Sequence, residues 1–291
     1  MTKWSRRGSR GRSREMVENF GRRLQERIRA TGPLCVGVDP SAQLLDAWGR
    51  PDSVEGVEFM ALSILEAATG AAAAIKPQVA YFERFGSAGY RVLERLITEA
   101  RDADVMVIAD VKRGDIGATN DAYAAAWLEE SSPLCCDALT VSPYTGVGAL
   151  APFFSRCVQG RGVFVLAATS NDEGRALQRA RTDADEALED LVLRSVAELN
   201  EAHDALGPFG VVLGATRERP RFDLAELHGP YLVPGVGAQG ATPEQVGRLF
   251  ERCREGTVLV NVARNIAIAG PERPALRDAV ARWRDNLTIF L

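Results

Sequence analysis

The sequence predicts a closed (β/α)8 TIM barrel in a single domain, and three observations carry that prediction. From residue 34 onward, eight short apolar runs rich in β-branched residues alternate with longer stretches of helical period. At 291 residues the chain is close to the ~250 residues in which such barrels are usually built. The first run, LCVGVDPS, is not followed by the G-x-G-x-x-G turn of an open dinucleotide-binding sheet, and no Pro/Gly/Ser-rich linker divides the chain.

In chain order, residues 1–15 (MTKWSRRGSRGRSRE) come first, with one Lys, five Arg and one Glu among Gly and Ser and no hydrophobic period. They are expected to form a disordered basic tail ahead of a barrel domain at 16–291. Met16 opens an amphipathic segment and is an alternative start to Met1. A short helix near 16–30 is expected to close the bottom of the barrel. The strand-like runs are 34–39, 72–77, 105–112, 137–142, 162–168, 209–215, 231–236 and 257–263. Between them, 90–103, 189–206 and 242–256 repeat apolar residues at three and four with charged outer faces, the mark of surface helices. Thr242-Pro243-Glu244-Gln245 reads as a helix start, with Thr as N-cap, Pro at N1 and Gln completing a capping box. The charged stretch 171–188 is the expected extra loop.

Composition narrows the function. With 46% hydrophobic and 25% charged residues and a formal net charge of −4, the chain is neither compositionally disordered nor collagen-like. Without the tail, 29 Lys+Arg face 38 Asp+Glu, a net −9 that argues against a nucleic-acid-binding body. The tail alone has the charge to touch polyanions, and the plainer reading is a solvated extension. Five cysteines, Cys35, Cys135, Cys136, Cys157 and Cys253, are odd in number and lack zinc-ligand spacing, as expected of buried reduced thiols in a cytoplasmic protein. Two histidines, His203 and His228, are too few for a His-rich metal site and make a Ser-His-Asp triad improbable. No run reaches the ~18 apolar residues of a membrane span, and no secretory signal opens the chain.

In barrels of this class the chemistry sits at the carboxyl ends of the strands. Here those ends carry Asp39, Lys76, Asp110 with Lys112, Ser142, Thr169 with Ser170, Gln239 and Arg264. Paired structural charges explain one or two such residues, and explain poorly a set converging from several strands. In ADVKRGDIGATN (109–120), Asp110 and Lys112 are two apart on a strand and face the same side, and Asp115 follows the Arg113-Gly114 turn. A lysine held between carboxylates favours its ammonium form, which makes Lys112 a proton donor rather than a Schiff-base amine. A fixed cation beside carboxylates suits a reaction in which negative charge develops on carbon and is quenched by a proton, as in decarboxylation. The glycines of PGVGAQG (234–240), Gly237 among them, are expected to let backbone N–H groups approach an anion. The helix opening at Thr242 and the planar fork of Arg264 are expected to complete a phosphate site.

ADVKRGDIGATN, together with LCVGVDPS, AAIKPQVAYFERFG, FVLAATSN and LVPGVGAQG, resembles orotidine 5'-monophosphate decarboxylase, and more closely its second bacterial subfamily. The resemblance spans about residues 34 to 270, with five motifs in the family's order. It implies a barrel that dimerises through its open end and converts orotidine 5'-monophosphate to uridine 5'-monophosphate and CO2 without metal or organic cofactor. It implies that Lys112 protonates C6 of the pyrimidine, that Asp110 sits against the departing carboxylate, and that Asp115 and Thr119 reach across the dimer interface. Asp39 and Lys76 match ribose-binding residues, Lys76 also touching the charge network. Ser170, with Thr169 as the alternative, matches a pyrimidine-contacting serine; Gln239 matches a closing-loop glutamine and Arg264 a phosphate arginine. The eighth-strand motif reads VNVARN, with Ala263 where many members have glycine before the arginine.

Two rivals remain open on sequence. Magnesium-dependent sugar-phosphate decarboxylases and hexulose-phosphate aldolases share an Asp-x-Lys-x-x-Asp motif, but they need acidic metal ligands where this chain has Lys76. A catalytically idle scaffold with a nucleic-acid-binding tail would have no reason to hold Asp110, Lys112 and Asp115 together against their desolvation cost.

Overall fold

A computed structural model of the chain describes residues 18–157 and 160–289; the expected tail at 1–15 and the choice between Met1 and Met16 lie outside the described residues. Eight parallel strands close on themselves in sequence order: β1 (Leu34–Val38), β2 (Ala74–Pro77), β3 (Met106–Arg113), β4 (Ala138–Val141), β5 (Gly162–Ala168), β6 (Phe209–Leu213), β7 (Tyr231–Val233) and β8 (Val258–Val262). The barrel shuts where Leu34, Cys35 and Val36 pair with Val260, Asn261 and Val262.

The helices, in order, are α1 (Phe20–Thr31), α2 (Ala42–Ala47), α3 (Val54–Ala68), α4 (Ala80–Glu83), α5 (Gly86–Asp102), α6 (Gly117–Leu128), α7 (Ala151–Arg156), α8 (Arg175–Gln178), α9 (Leu188–Asn200), α10 (Pro243–Leu249), α11 (Arg264–Ala267) and α12 (Arg273–Thr288). The sixth unit departs from the pattern, since β6 is followed by a 3-10 turn at Leu224–Leu227 instead of an α-helix. Stretch 171–188 is the extra loop expected, built from a 3-10 turn at Asp172–Gly174, the single turn α8 and a bridge between Arg181 and Ala187. Among the described residues, no helix is long and apolar enough to cross a membrane.

Strand alternation sorts the apolar residues into two shells. Val36, Val38, Val107, Leu139, Val163, Val211, Val260 and Val262 face outward and pack with the helices. Cys35, Ala74, Met106, Ala138, Phe164, Leu232 and Leu259 face inward and form a core with Phe20, Leu24 and Ile28. Those three residues share one stripe of α1, which plugs the amino-terminal end of the barrel, as the periodicity of its segment predicts. Phe20 meets Phe164 edge-on at 6.0 Å and lies against Gly162, and burying such a ring stabilises the plug by about 1.5–3 kcal/mol.

Two helices are shorter than their periodicity suggests. The helix expected over 189–206 ends at Asn200, whose amide donates to the carbonyls of Phe209 and Leu227 and accepts the Phe209 N–H, committing that residue to the sheet. The helix expected over 242–256 ends at Leu249, where Phe250 turns in to pack on Tyr231 at 4.8 Å. Cys35, Cys135, Cys136 and Cys157 are buried free thiols, and Cys253 is half-buried. Burial pushes the Cys35 thiol up to about 12, far from a reactive thiolate.

Candidate active site

β3 bulges where its chemistry lies. Ala109 pairs with Leu139 and Arg113 with Val141, so four steps along β3 match two along β4. The extra residues bring Lys112 into the left-handed region, φ +49°, uncommon for a side-chain-bearing residue. Its ammonium thereby lies 2.5 Å from Asp110 Oδ1. The turn that follows needs Gly114, because a Cβ there would stand 2.3 Å from the Ser142 carbonyl.

Asp110 is the centre of the charge network. Its Oδ2 accepts from Lys76 Nζ at 2.7 Å and Gln78 Nε2 at 3.0 Å; its Oδ1 accepts from Lys112 and from Thr140 Oγ1 at 2.8 Å. Burial alone would raise the carboxyl, but Lys76 and Lys112 outweigh it and hold it well below the usual carboxylate range. Burial opposes charge on Lys76 as well, and there Asp110 and Asp39 prevail and favour the ammonium. The two lysines differ in freedom: the Lys76 side chain is 5% exposed and the Lys112 side chain 43%. Only Lys112 has room to meet a substrate at the open end.

A cavity of about 130 Å³ lies at the ends of β1, β7 and β8, lined by Asp39, Tyr81, Gly235, Gln239, Asn261 and Arg264 among others. Asp39 Oδ1 and Asn261 Oδ1 are buried there without a hydrogen-bond partner among the described residues, two acceptors suited to hydroxyl donors. Burial raises the Asp39 carboxyl; Lys76 works against this and Asp110 adds to it, which ties the cavity electrostatically to the Asp110 network. Ala263 is accommodated by Gly37 across the β1–β8 seam, where a Cβ would lie 2.5 Å from the Ala263 Cβ.

Ser170 sits beside Gly214 and Gly235 at the mouth of the barrel. The Thr169 hydroxyl donates to Asn171 Oδ1 and accepts from Gln178 Nε2. Gln239 folds over Gly235 and lines the cavity. Gly237 is required for its backbone, φ +77° with Asn265 and Trp283 behind it. Its N–H, however, donates to the Ala241 carbonyl, and the Gly240 N–H to the Gly237 carbonyl, so these two amides close the loop on itself instead of opening it to an anion. The α10 start is likewise self-satisfied by its capping box, in a helix of only seven residues. Arg264, exposed at the first turn of α11, and Gln239 both line the cavity.

Among the described residues, Asp110 is the carboxylate that Lys112 bonds directly, and Asp39 feels its charge from farther off. The Asp115 carboxylate is turned to the Ile116 N–H at 2.7 Å, and Asp115 stands with the exposed Thr119 at the start of α6, away from the Asp110 network. Gln78, Thr140 and Asn261 also belong to the site, the first two on Asp110 and the third in the cavity wall. Gln78 lies two past Lys76 and was visible as a polar strand-end residue; Thr140 and Asn261 sit inside apolar runs and gave no such signal. His203 packs edge-on to Phe209, which opens β6 at the amino-terminal end, and left-handed His228 ends the 3-10 turn before β7, so neither approaches the site.

The chain has relatives that match it over most of its length. It is 49% identical over 267 residues to an orotidine 5'-phosphate decarboxylase of Salinispora tropica, covering 91% of this chain and 96% of the relative. It is 45% identical over 269 residues to one of Streptomyces coelicolor, with 92% and 96% covered. A solved structure from Streptomyces avermitilis superposes with a TM-score of 0.89 at 43% identity over 98% of this chain and 99% of that one. Leishmania donovani OMP decarboxylase superposes with a TM-score of 0.73 at 29% identity over 94% and 99%. The family model for the orotidine 5'-phosphate decarboxylase / HUMPS family matches residues 32–279, from just before β1 into α12, and the chain belongs to that family.

Proposed function

We propose that this protein decarboxylates orotidine 5'-monophosphate to uridine 5'-monophosphate and CO2, the closing step of uridine nucleotide synthesis, as a cytoplasmic homodimer with shared sites. The observation that carries the reading is the buried Asp110 carboxylate clamped between Lys76 and Lys112 at the mouth of the barrel. In this reading the nucleotide phosphate lies against Arg264 and Gln239, the ribose hydroxyls against Asp39 and Lys76, and the pyrimidine beneath Ser170. The substrate carboxylate then meets Asp110, which its lysines keep ionised. Breaking the C6–carboxylate bond removes one of two facing anions as CO2 and leaves the bonding pair on C6. The Lys112 ammonium stabilises that pair and gives it a proton; solvent then returns a proton to the amine, so the net reaction consumes one proton.

A second copy completes the site in this reading. Asp115, bonded to the Ile116 N–H, and the exposed Thr119 lie near the exposed Ile116 (62%) and Tyr144 (83%), apolar groups that a partner subunit would cover. The reading requires no metal or organic cofactor. Lys76 and Lys112 occupy both oxygens of Asp110, where the magnesium-dependent relatives would need a free carboxylate. Its test is the ultraviolet absorbance of orotidine 5'-monophosphate mixed with purified protein in excess EDTA. Conversion to uridine 5'-monophosphate is expected; no conversion by folded, dimeric protein overturns the reading.

A further inference from the structure

We propose that Thr140, inside β4, is a positioning residue that holds Asp110 and Lys112 in register with one another across the β3 bulge. The bulge takes the Lys112 N–H out of the strand ladder, and a buried amide without an acceptor is costly. Thr140 lies between Leu139 and Val141, the two β4 residues that bracket the mismatch, and it is 1% exposed. Its Oγ1 accepts the Lys112 N–H at 3.0 Å and donates its single proton to Asp110 Oδ1 at 2.8 Å. One hydroxyl thus replaces the missing ladder carbonyl, pins a lysine in a left-handed conformation, and fixes the rotation of the carboxylate that lysine pairs with.

The consequence for the reaction follows from the Lys112 proton. When Lys112 releases it, the ion pair with Asp110 Oδ1 is lost, and Thr140 keeps both the carboxylate and the lysine backbone where they were. This inference rests on the decarboxylase reading only for its kinetic consequences.

The test compares Thr140→Val, which keeps the β-branched shape and strand preference but removes the hydroxyl, with Thr140→Ser, which keeps the hydroxyl, both in the full chain. Three readouts are taken: hydrogen exchange at the Lys112 amide by NMR, kcat with KM, and the pH profile of kcat. In the valine variant the Lys112 amide is expected to exchange about tenfold faster, and kcat to fall about 10- to 100-fold with KM within about threefold. The acid limb of kcat moves to higher pH, because Asp110 loses a donor that favours its charged form. The serine variant is expected to restore all three. A valine variant whose Lys112 amide is as protected as in the wild type overturns the proposal, as does a serine variant as impaired as valine. So does exchange rising uniformly over β3 and β4 with kcat and KM worsening together, the signature of a merely structural threonine. Should the wild-type chain show no turnover, the decarboxylase reading fails and the exchange measurement still decides the role of Thr140.

Discussion

Lys112 and Asp110 are joined by a bulge, not by plain strand alternation: Lys112 takes φ +49° and brings Nζ to 2.5 Å from Asp110 Oδ1. Two residues of extended strand already face the same way. What the bulge adds is a lysine whose side chain remains 43% exposed while its partner is almost wholly buried. A cation so placed is at once fixed by its carboxylate and open to the mouth of the barrel.

Replacing that lysine separates chemistry from binding. Lys112→Ala is expected to lower kcat by about a thousandfold or more, in the range a lost general acid produces when its charge is lost too. Uridine 5'-monophosphate binding, measured by calorimetry, is expected to persist because Arg264, Gln239 and Asp39 lie on other strand ends. A variant keeping more than a few per cent of the wild-type rate would remove Lys112 from the proton-donor role.

Asp39 trades stability for binding. Burial raises its carboxyl, so the native state holds that proton more tightly than the unfolded chain, whose carboxyl titrates near ~3.9. Its contribution to stability is therefore highest below that value and falls as pH rises through the native pKa. Asp110 runs the other way: its carboxyl is lowered, and its contribution is present above ~3.9 and lost as pH falls below it. Both proteins retain Asp110, so the difference between wild type and Asp39→Asn reports Asp39 together with its coupling to Lys76 and Asp110. The variant is expected to melt higher at pH 7, with the gap closing toward pH 4. It is also expected to bind nucleotide more weakly. A variant that melts lower at pH 7 contradicts the strain assigned to the Asp39 carboxylate.

The sharing of sites is open to complementation. Lys112→Ala and Asp115→Asn are each expected to be nearly inactive as homodimers. In a mixed dimer, the subunit with an intact Lys112 receives an intact Asp115 from its partner, and the other site lacks both. Equal mixing makes half the dimers mixed, each with one working site, so activity is expected to recover to about a quarter of wild type. Verified subunit exchange without recovery would place Asp115 outside the partner's site.

The residues that declare themselves in the sequence are polar groups at the ends of apolar runs. Asp39, Lys76, Asp110, Lys112 and Arg264 all stand out in this way, and the order of the eight strands follows from the same runs. Thr140 and Asn261 are hidden because a threonine or asparagine within ALTV or VLVNV looks like ordinary strand filling; their meaning depends on inward register and on a bulge in the neighbouring strand. Gly237 is legible only in part. A glycine in a loop announces backbone freedom, but not whether its N–H is spent inside the loop, as it is here on Ala241. The end of α9 at Asn200 is similarly invisible, since the periodicity continues and only the contacts with Phe209 and Leu227 stop the helix.

Arg264 gives the sharpest check on how the substrate lies. The Gly237 and Gly240 amides are closed into the loop and the α10 start is capped by its own side chains, while Arg264 lines the cavity as its cation. A charge-assisted hydrogen bond of this kind contributes about 1.5–3 kcal/mol, so Arg264→Ala is expected to lower kcat/KM for orotidine 5'-monophosphate by about 10- to 150-fold. The same substitution is expected to leave the much slower decarboxylation of orotidine, which has no phosphate, nearly unchanged. Equal losses on both substrates would mean that Arg264 serves the fold or the ribose instead. Loss on the nucleotide alone would locate the phosphate at the end of β8 and, with the pyrimidine at Asp110, orient the whole substrate across the barrel mouth.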